Sequence, residues 1–358
     1  MKLSQAVQEQ KQQQPLSSEK SQKSRFDTYL QVITHADKFP HEFDPKNPDE
    51  VHHAIPFRFN SLIVGRVLPS TLTPLIEYND AQAPKPFDIV EGEYISFATW
   101  VDSFDKRNQV IEDLLNTWRE KQTFKVLKGW RNEIFPVYGD ATRKDNVAFV
   151  IERAGTPLFG ISQFGAHLNC YVREPDGSIK IWVARRSRTK QTWPGLLDNC
   201  VAGGITYQAT TKDTIVRECD EEASIPPEIS KQARNVGAVS YFTITEHGLV
   251  PETQYTFDLE LPRDFVPTPR DGEVECFYLW SVDQIRETLL NNEWKPNCAL
   301  VTIDFLMRHS VITADTEPDY IDLTYRLHRK LEFPTPHKNK LASTTRAPLV
   351  VTSSCQQQ

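Results

Sequence analysis

Three carboxylates at fixed spacing constrain this chain more than anything else in it. In Arg217-Glu218-Cys219-Asp220-Glu221-Glu222 the glutamates stand at i, i+3 and i+4, which puts them on one face of a helix. Ile215, Cys219 and Ala223 repeat at i, i+4 and i+8, so the same helix can bury an apolar stripe. The spacing predicts a helix over Thr211–Ala223, capped by Thr210 or Thr211, with Asp213 at its positive end and Pro226-Pro227 stopping it. Each like-charged i, i+4 pair costs roughly 0.2–0.5 kcal/mol without a counter-charge. A hard cation reverses that sign: Mg²⁺ prefers oxygen ligands and bridges carboxylates to phosphates. Taken alone, the glutamates read more simply as a solvated acidic face paired with Arg217 and Lys212.

With 358 residues there is room for two compact domains. The formal net charge of −7 argues against a general nucleic-acid binder. No apolar run reaches the ~18 residues of a membrane helix, and the N-terminus lacks the apolar core of a secretory signal. None of the six cysteines forms a C-x-x-C pair. The expectation is a cytoplasmic protein without membrane or nucleic-acid partners. Its oligomeric state is not legible.

Residues 1–24, rich in Gln, Ser and Lys, and 331–358 read as disordered tails. A first domain, 25–150, has helical spacing at Phe26, Tyr29, Leu30, Ile33 and again at Val110, Ile111, Leu114, Leu115, Trp118. Strand-like runs lie at Phe57–Phe59 and Leu62–Val64. A second domain, 151–330, alternates expected strands (Gly165–Arg173, Ile181–Arg185, Val236–Glu246, Tyr255–Leu261, Cys276–Ser281) with helices at Thr211–Ala223, Val282–Asn291 and Thr302–Ser310. That order points to an α/β class, helices covering a mixed sheet.

The glycine turn before the acidic helix adds specificity. Gly203, then Arg217, Glu218, Cys219, Glu221, Glu222 and Ile225, resembles the Nudix box, G-x5-E-x7-R-E-U-x-E-E-x-G-U with U apolar. Ala209 stands where the box has its first glutamate, and Ser224 where it has its late glycine. The resemblance implies an α/β/α sandwich with a mixed sheet, beside a smaller α+β N-terminal domain of unknown role. It extends through Pro157–Gly160, Gly165–Tyr171 and Ile181–Asn199, and with Gly129–Gly139 is similar to the Nudix half of fungal thiamine pyrophosphokinases.

That similarity implies a substrate and a set of roles. Relatives remove the terminal phosphate of thiamine diphosphate, oxidised or damaged forms above all. A chain ending soon after this half is expected to be a stand-alone hydrolase. Glu218, Glu221 and Glu222, with the Ala202 carbonyl, are the implied ligands of Mg²⁺ or Mn²⁺, and Arg217 orients the glutamates. The basic run Arg185, Arg186, Arg188, Lys190 suits a diphosphate, although alternation forbids Arg185 and Arg186 from facing one side together. Arg185, Arg186, Lys190, Gln191 and Trp193 are the substrate-binding candidates. Trp130, Trp182 and Tyr207 are further candidates to stack on a ring. Glu273 and Glu275 are the candidate general bases, placed on one side by period two. His167 and His247 could titrate near neutrality, but their spacing singles out neither. A thiamine diphosphate sensor that does not hydrolyse is the alternative that Ala209 and Ser224 favour. Hydrolysis of ADP-ribose or a dinucleotide is the alternative within the fold.

Overall fold

The computed structural model of the chain describes residues 25–336. The tail expected at 1–24, and the part of the tail expected at 331–358 that runs from 337 onward, lie outside the described residues. Helix α1 (Tyr29–Ala36) is capped by the Thr28 hydroxyl, which accepts the Gln31 N–H. The N-terminal sheet follows, with β1 (Ile55–Phe59), β2 (Leu62–Val67), β3 (Phe87–Val90) and β4 (Tyr94–Phe97) in the order β2-β1-β4-β3. Two helices accompany it. One is α2 (Pro69–Asp80), opened by Pro69, and the other is α3 (Phe104–Glu120), capped by Ser103. The apolar stripe of α3, from Val110 to Trp118, meets Phe57, Phe87 and Phe149 in one core. A separate hairpin of β5 (Ile134–Tyr138) and β6 (Val147–Glu152) joins that core through Phe135, Val137 and Ile151.

The second half is a mixed sheet between helices. Its strands are β7 (Gln163–Arg173), β8 (Ile179–Arg186), β9 (Leu197–Asp198), β10 (Val201–Gly204), β11 (Arg234–Thr245), β12 (Gly248–Glu260) and β13 (Val274–Ser281). The order is β11-β12-β7-β8-β13, with β10 on β7 and β9 on β8; β12 runs parallel to β7 and the other pairs are antiparallel.

Strand alternation assigns the layers. Ala166, Leu168, Cys170, Val172, Trp182 and Ala184 pack with Ile215, Cys219 and Ala223 of helix α4 (Thr211–Ala223). Tyr171, Ile181 and Val183 face the other way. They meet helix α6 (Val282–Leu290), helix α7 (Pro296–Arg308) and helix α8 (Tyr320–Leu327), all of which follow the short α5 (Pro227–Ser230). Each fully buried large aliphatic side chain contributes about 1.5–3 kcal/mol to these layers.

The packing departs from the expected boundaries in three places. Helix α1, expected within the N-terminal domain, inserts Val32, Ile33 and Ala36 into the core made by α7 and α8. Residues 331–336, expected to begin the disordered tail, are packed: Phe333 is buried against Phe242, and the Glu332 carboxylate pairs with Arg66. Helix α7 starts at Pro296 rather than Thr302. Its proline occupies the first turn, where no N–H is needed.

Candidate active site

Helix α4 and strand β10 build the site together. Thr210 caps the helix by accepting the Asp213 N–H at 3.1 Å. The apolar stripe fixes the helix on the sheet and so decides where each glutamate points. Glu218 and Glu222 are buried beside β10, each 8% exposed, whereas the Glu221 side chain is 47% exposed. A Cβ on Gly203 would overlap the Glu218 carboxylate, so the box glycine is required by close approach. The Ala202 N–H donates to Glu222 Oε2 at 3.2 Å, which sets that residue's backbone against the innermost carboxylate. Arg217 bridges the other two, with Nη2 to Glu218 Oε1 at 2.8 Å and Nη1 to Glu221 Oε2 at 3.0 Å.

Burial and crowding of like charge govern the electrostatics. Burial pushes the Glu218 carboxyl up to about 7 against the pull of Arg217, and the Glu221 charge adds to the push. Burial, then the Glu218 charge, drives Glu222 well above the carboxylate range. Two desolvated carboxyls that cannot comfortably ionise together form a donor set that a divalent cation would satisfy. The donors are oxygens, which suits a hard ion.

The two base candidates part company. A bulge between Val274 and Cys276 interrupts the alternation that would have aligned them. Glu273 pairs with Lys190 and lies within electrostatic reach of Glu218 and Glu222. Glu275 instead faces Arg188 at 3.6 Å. Burial would raise the Glu273 carboxyl, but Lys190, then Arg131 and Arg186, outweigh it and hold it below its usual range.

The basic run does not present the open cluster that was expected. Arg186 is buried and fully engaged: Nη1 on Asp198 Oδ2 at 2.7 Å, Nε on the Trp193 carbonyl and Nη2 on the Thr192 carbonyl. It holds a loop rather than standing free for a phosphate. Arg185 points to the other side of the sheet, donating to the Tyr278 hydroxyl at 3.0 Å and to the Gly195 carbonyl at 2.8 Å. Gln191 lies beside Gly129 of the N-terminal domain. Trp193 is 43% exposed, on a left-handed backbone with φ of 53°. Trp182 is core, Tyr207 is tied to Asp145, and Trp130 lies under Arg119.

Comparison with known proteins decides the family. A family model described as a NUDIX domain matches residues 164–299, and one described as a domain of unknown function (DUF4743) matches residues 31–163. Nudix hydrolase 20, chloroplastic, from Arabidopsis thaliana is 36% identical over 80% of this chain and 75% of its own length. Nudix hydrolase 24, chloroplastic, from the same plant is 35% identical over 76% of this chain and 72% of its own. The chain belongs to the Nudix hydrolase family. It is also 40% identical to the uncharacterized protein YJR142W of Saccharomyces cerevisiae, over 65% of this chain and 71% of that one. Nudix hydrolases act on diphosphate bonds and generally use divalent metals. No helix among the described residues is long and apolar enough to cross a membrane.

Both departures from the Nudix box have a structural setting. Ala209 is half-buried and packs against the apolar cluster under α4. Ser224 takes the left-handed conformation that glycine would favour, φ 52° and ψ 32°, and donates its hydroxyl to the Thr268 carbonyl at 2.9 Å.

A second polar group was not foreseen. His167, Asp198 and Cys298 are buried together and bring one possible ligand atom each within 4.8 Å of one another, closer than the three α4 glutamates stand in the absence of an ion. Their present bonding is complete without one. Asp198 accepts from the Cys298 thiol at 2.7 Å and from Arg186, and His167 hydrogen-bonds Asn199 at 2.8 Å. Burial would raise Asp198, but Lys295 and Arg186 outweigh it and hold its carboxyl at about 2. Two cations already serve this trio, so it is a poorer fit to a metal than the α4 glutamates. Burial and then Lys295 lower His167 to about 4, so it does not titrate near neutrality. The signal was in the sequence: His167 and Asn169 interrupt an otherwise apolar strand.

Proposed function

We propose that this Nudix protein is a Mg²⁺-dependent diphosphate hydrolase converting thiamine diphosphate, and its oxidised or damaged forms, to the monophosphate. The observation that carries the chemistry is the pair of buried carboxylates, Glu218 closed in by Gly203 and Glu222 by the Ala202 N–H, both raised by burial, with the Glu218 charge adding to the rise at Glu222. Thiamine as substrate rests on the sequence similarity to the Nudix half of fungal thiamine pyrophosphokinases and on the exposed Trp193 ring, an apolar surface for a flat cation.

Glu218, Glu222, Glu221 and the Ala202 carbonyl would hold the ion, which when bound polarises a phosphoryl oxygen and activates water. The chain's own groups do the rest. Arg217 keeps Glu218 and Glu221 in register through its two bonds. Glu273 stays ionised at neutral pH because Lys190 and Arg131 outweigh its burial, so its carboxylate can accept the proton that water gives up. Lys190 and Gln191 lie on the loop that closes the site toward the N-terminal domain.

Phosphate release with Mg²⁺ from thiamine diphosphate and its oxidised analogues, against ADP-ribose and NADH, tests this reading. Glu222→Gln should lose activity by a hundredfold or more, on the order of the loss when a principal transition-state group is removed. Turnover of the nucleotides alone would overturn the thiamine assignment. Thiamine diphosphate bound but not turned over would favour the sensor, whose support is the apolar setting of Ala209.

A further inference from the structure

The cations expected to grip the substrate are already engaged. Arg185, Arg186 and Lys190 each bond to groups within the chain. Yet a diphosphate brings negative charge to a site whose own wall is made of glutamates, and something must answer it. The N-terminal domain reaches this wall. Phe135 packs where a Cβ on Gly204 would stand, the Tyr207 N–H donates to the Ile134 carbonyl at 2.8 Å, and Gly129 abuts Gln191. The segment 129–135 is thus laid along both the glycine turn and the basic loop.

Arg131 sits in the middle of that segment, half-buried. Among the described residues its guanidinium has no hydrogen bond or ion pair of its own, while its electrostatic neighbours are Arg153, Glu133, Glu273 and Arg186. Its backbone is fixed on both sides. The Arg131 N–H donates to Glu152 Oε1 at 3.0 Å, and the Arg153 N–H donates to the Glu133 carbonyl at 2.8 Å. Glu133, the carboxylate nearest in sequence, is taken by Arg153 at 2.7 Å. Asn132 follows in the left-handed region, φ 59°, with its Oδ1 accepting the Trp130 indole N–H at 3.0 Å. A rigid backbone thus carries a cation whose nearest carboxylate is otherwise engaged, and that cation lies within electrostatic reach of the candidate base.

We propose that Arg131, a residue of the N-terminal domain, is a substrate-binding group of the Nudix site and takes a phosphate oxygen of the diphosphate. The proposal rests on the diphosphate reading above and assigns that domain a direct part in substrate recognition. A guanidinium is suited to this, since it can offer two parallel N–H groups to one phosphate.

The test uses the full chain and a probe without an organic half, Mg²⁺ with methylenediphosphonate, followed by calorimetry. Arg131→Gln should weaken probe binding roughly 10- to 100-fold, the scale of one lost charge-assisted bond. Arg131→Lys should recover part of it. The glutamine variant should raise KM for a diphosphate substrate more than it lowers kcat, at an unchanged melting temperature. Probe affinity equal to wild type in Arg131→Gln would overturn the proposal, as would a wild type that does not bind the probe. A loss shared fully by Arg131→Lys and accompanied by a lower melting temperature would also overturn it, by showing a structural role. Wild-type protein that binds the probe in an Arg131-dependent way, yet leaves thiamine diphosphate intact, would support the proposal and sink the thiamine reading alone.

Discussion

At the scale of the residue, His167 carries the clearest consequence. An unfolded imidazole takes its proton near 6.5, whereas this one, desolvated and facing Lys295, refuses it until about 4. Between those values the unfolded chain binds more protons than the folded one, so stability falls as pH drops through that window and is fully present above it. The loss should approach roughly 3 kcal/mol by pH 4. Urea titrations from pH 7 to 4 should show this fall, and His167→Gln should flatten it. A wild-type slope no steeper than the variant's would contradict it. Sequence reasoning weighed this histidine only as a neutral-pH titrator, because pattern reveals a residue's type and spacing but not how deeply a strand is covered. Arg186 shows the same limit. Its charge suited a phosphate, but its three bonds were invisible until Asp198 and the Thr192–Trp193 carbonyls were folded around it.

At the scale of the element, α4 was the most legible part of the molecule, because cap, stripe and stop all lie within one short segment. The helix runs over Thr211–Ala223 as expected from the spacing. Its C-terminal end makes a sharper prediction. Ser224 bears the cost of a left-handed backbone, about 1 kcal/mol against glycine, and offsets it with the bond to Thr268. Ser224→Gly loses the bond but relieves the backbone, and should melt within ~0.5 kcal/mol of wild type. Ser224→Ala keeps the strain and loses the bond, and should be less stable by about 1 kcal/mol. Equal stabilities for the two variants, by thermal denaturation, would refute this balance. Elsewhere legibility failed where contacts are remote. The bulge that separates Glu275 from Glu273 arises from pairing with β8, and no local spacing announces it. Helix α2, with Pro69 at its start and a second proline inside, left too weak a pattern to find.

At the scale of the whole molecule, the ends of the described chain are tied together. The Asp37 carboxylate, just past α1, accepts from Arg329 Nη1 at 2.8 Å and from the Phe242 N–H at 2.9 Å, both in the second domain. Removing one partner of a buried pair leaves the other charge stranded. Arg329→Ala should therefore cost about 3–5 kcal/mol. Calorimetry of the full chain should show one unfolding transition, because α1, residues 331–336 and the β5–β6 hairpin each pack across the expected division. Two well-separated transitions would show that division to be real after all. The central strand has a further consequence, for the order of manufacture. One edge of β7 is covered by β8 and β10, but its other edge waits for β12, whose parallel partner residues are Glu252–Glu260. A ribosome releases the N-terminal sheet, β7 and the acidic helix long before those residues emerge. Throughout that interval a nascent chain carries a long, apolar, unzipped edge. Translation stalled between β7 and β12 should leave the most chaperone-dependent and aggregation-prone intermediate of this protein's birth.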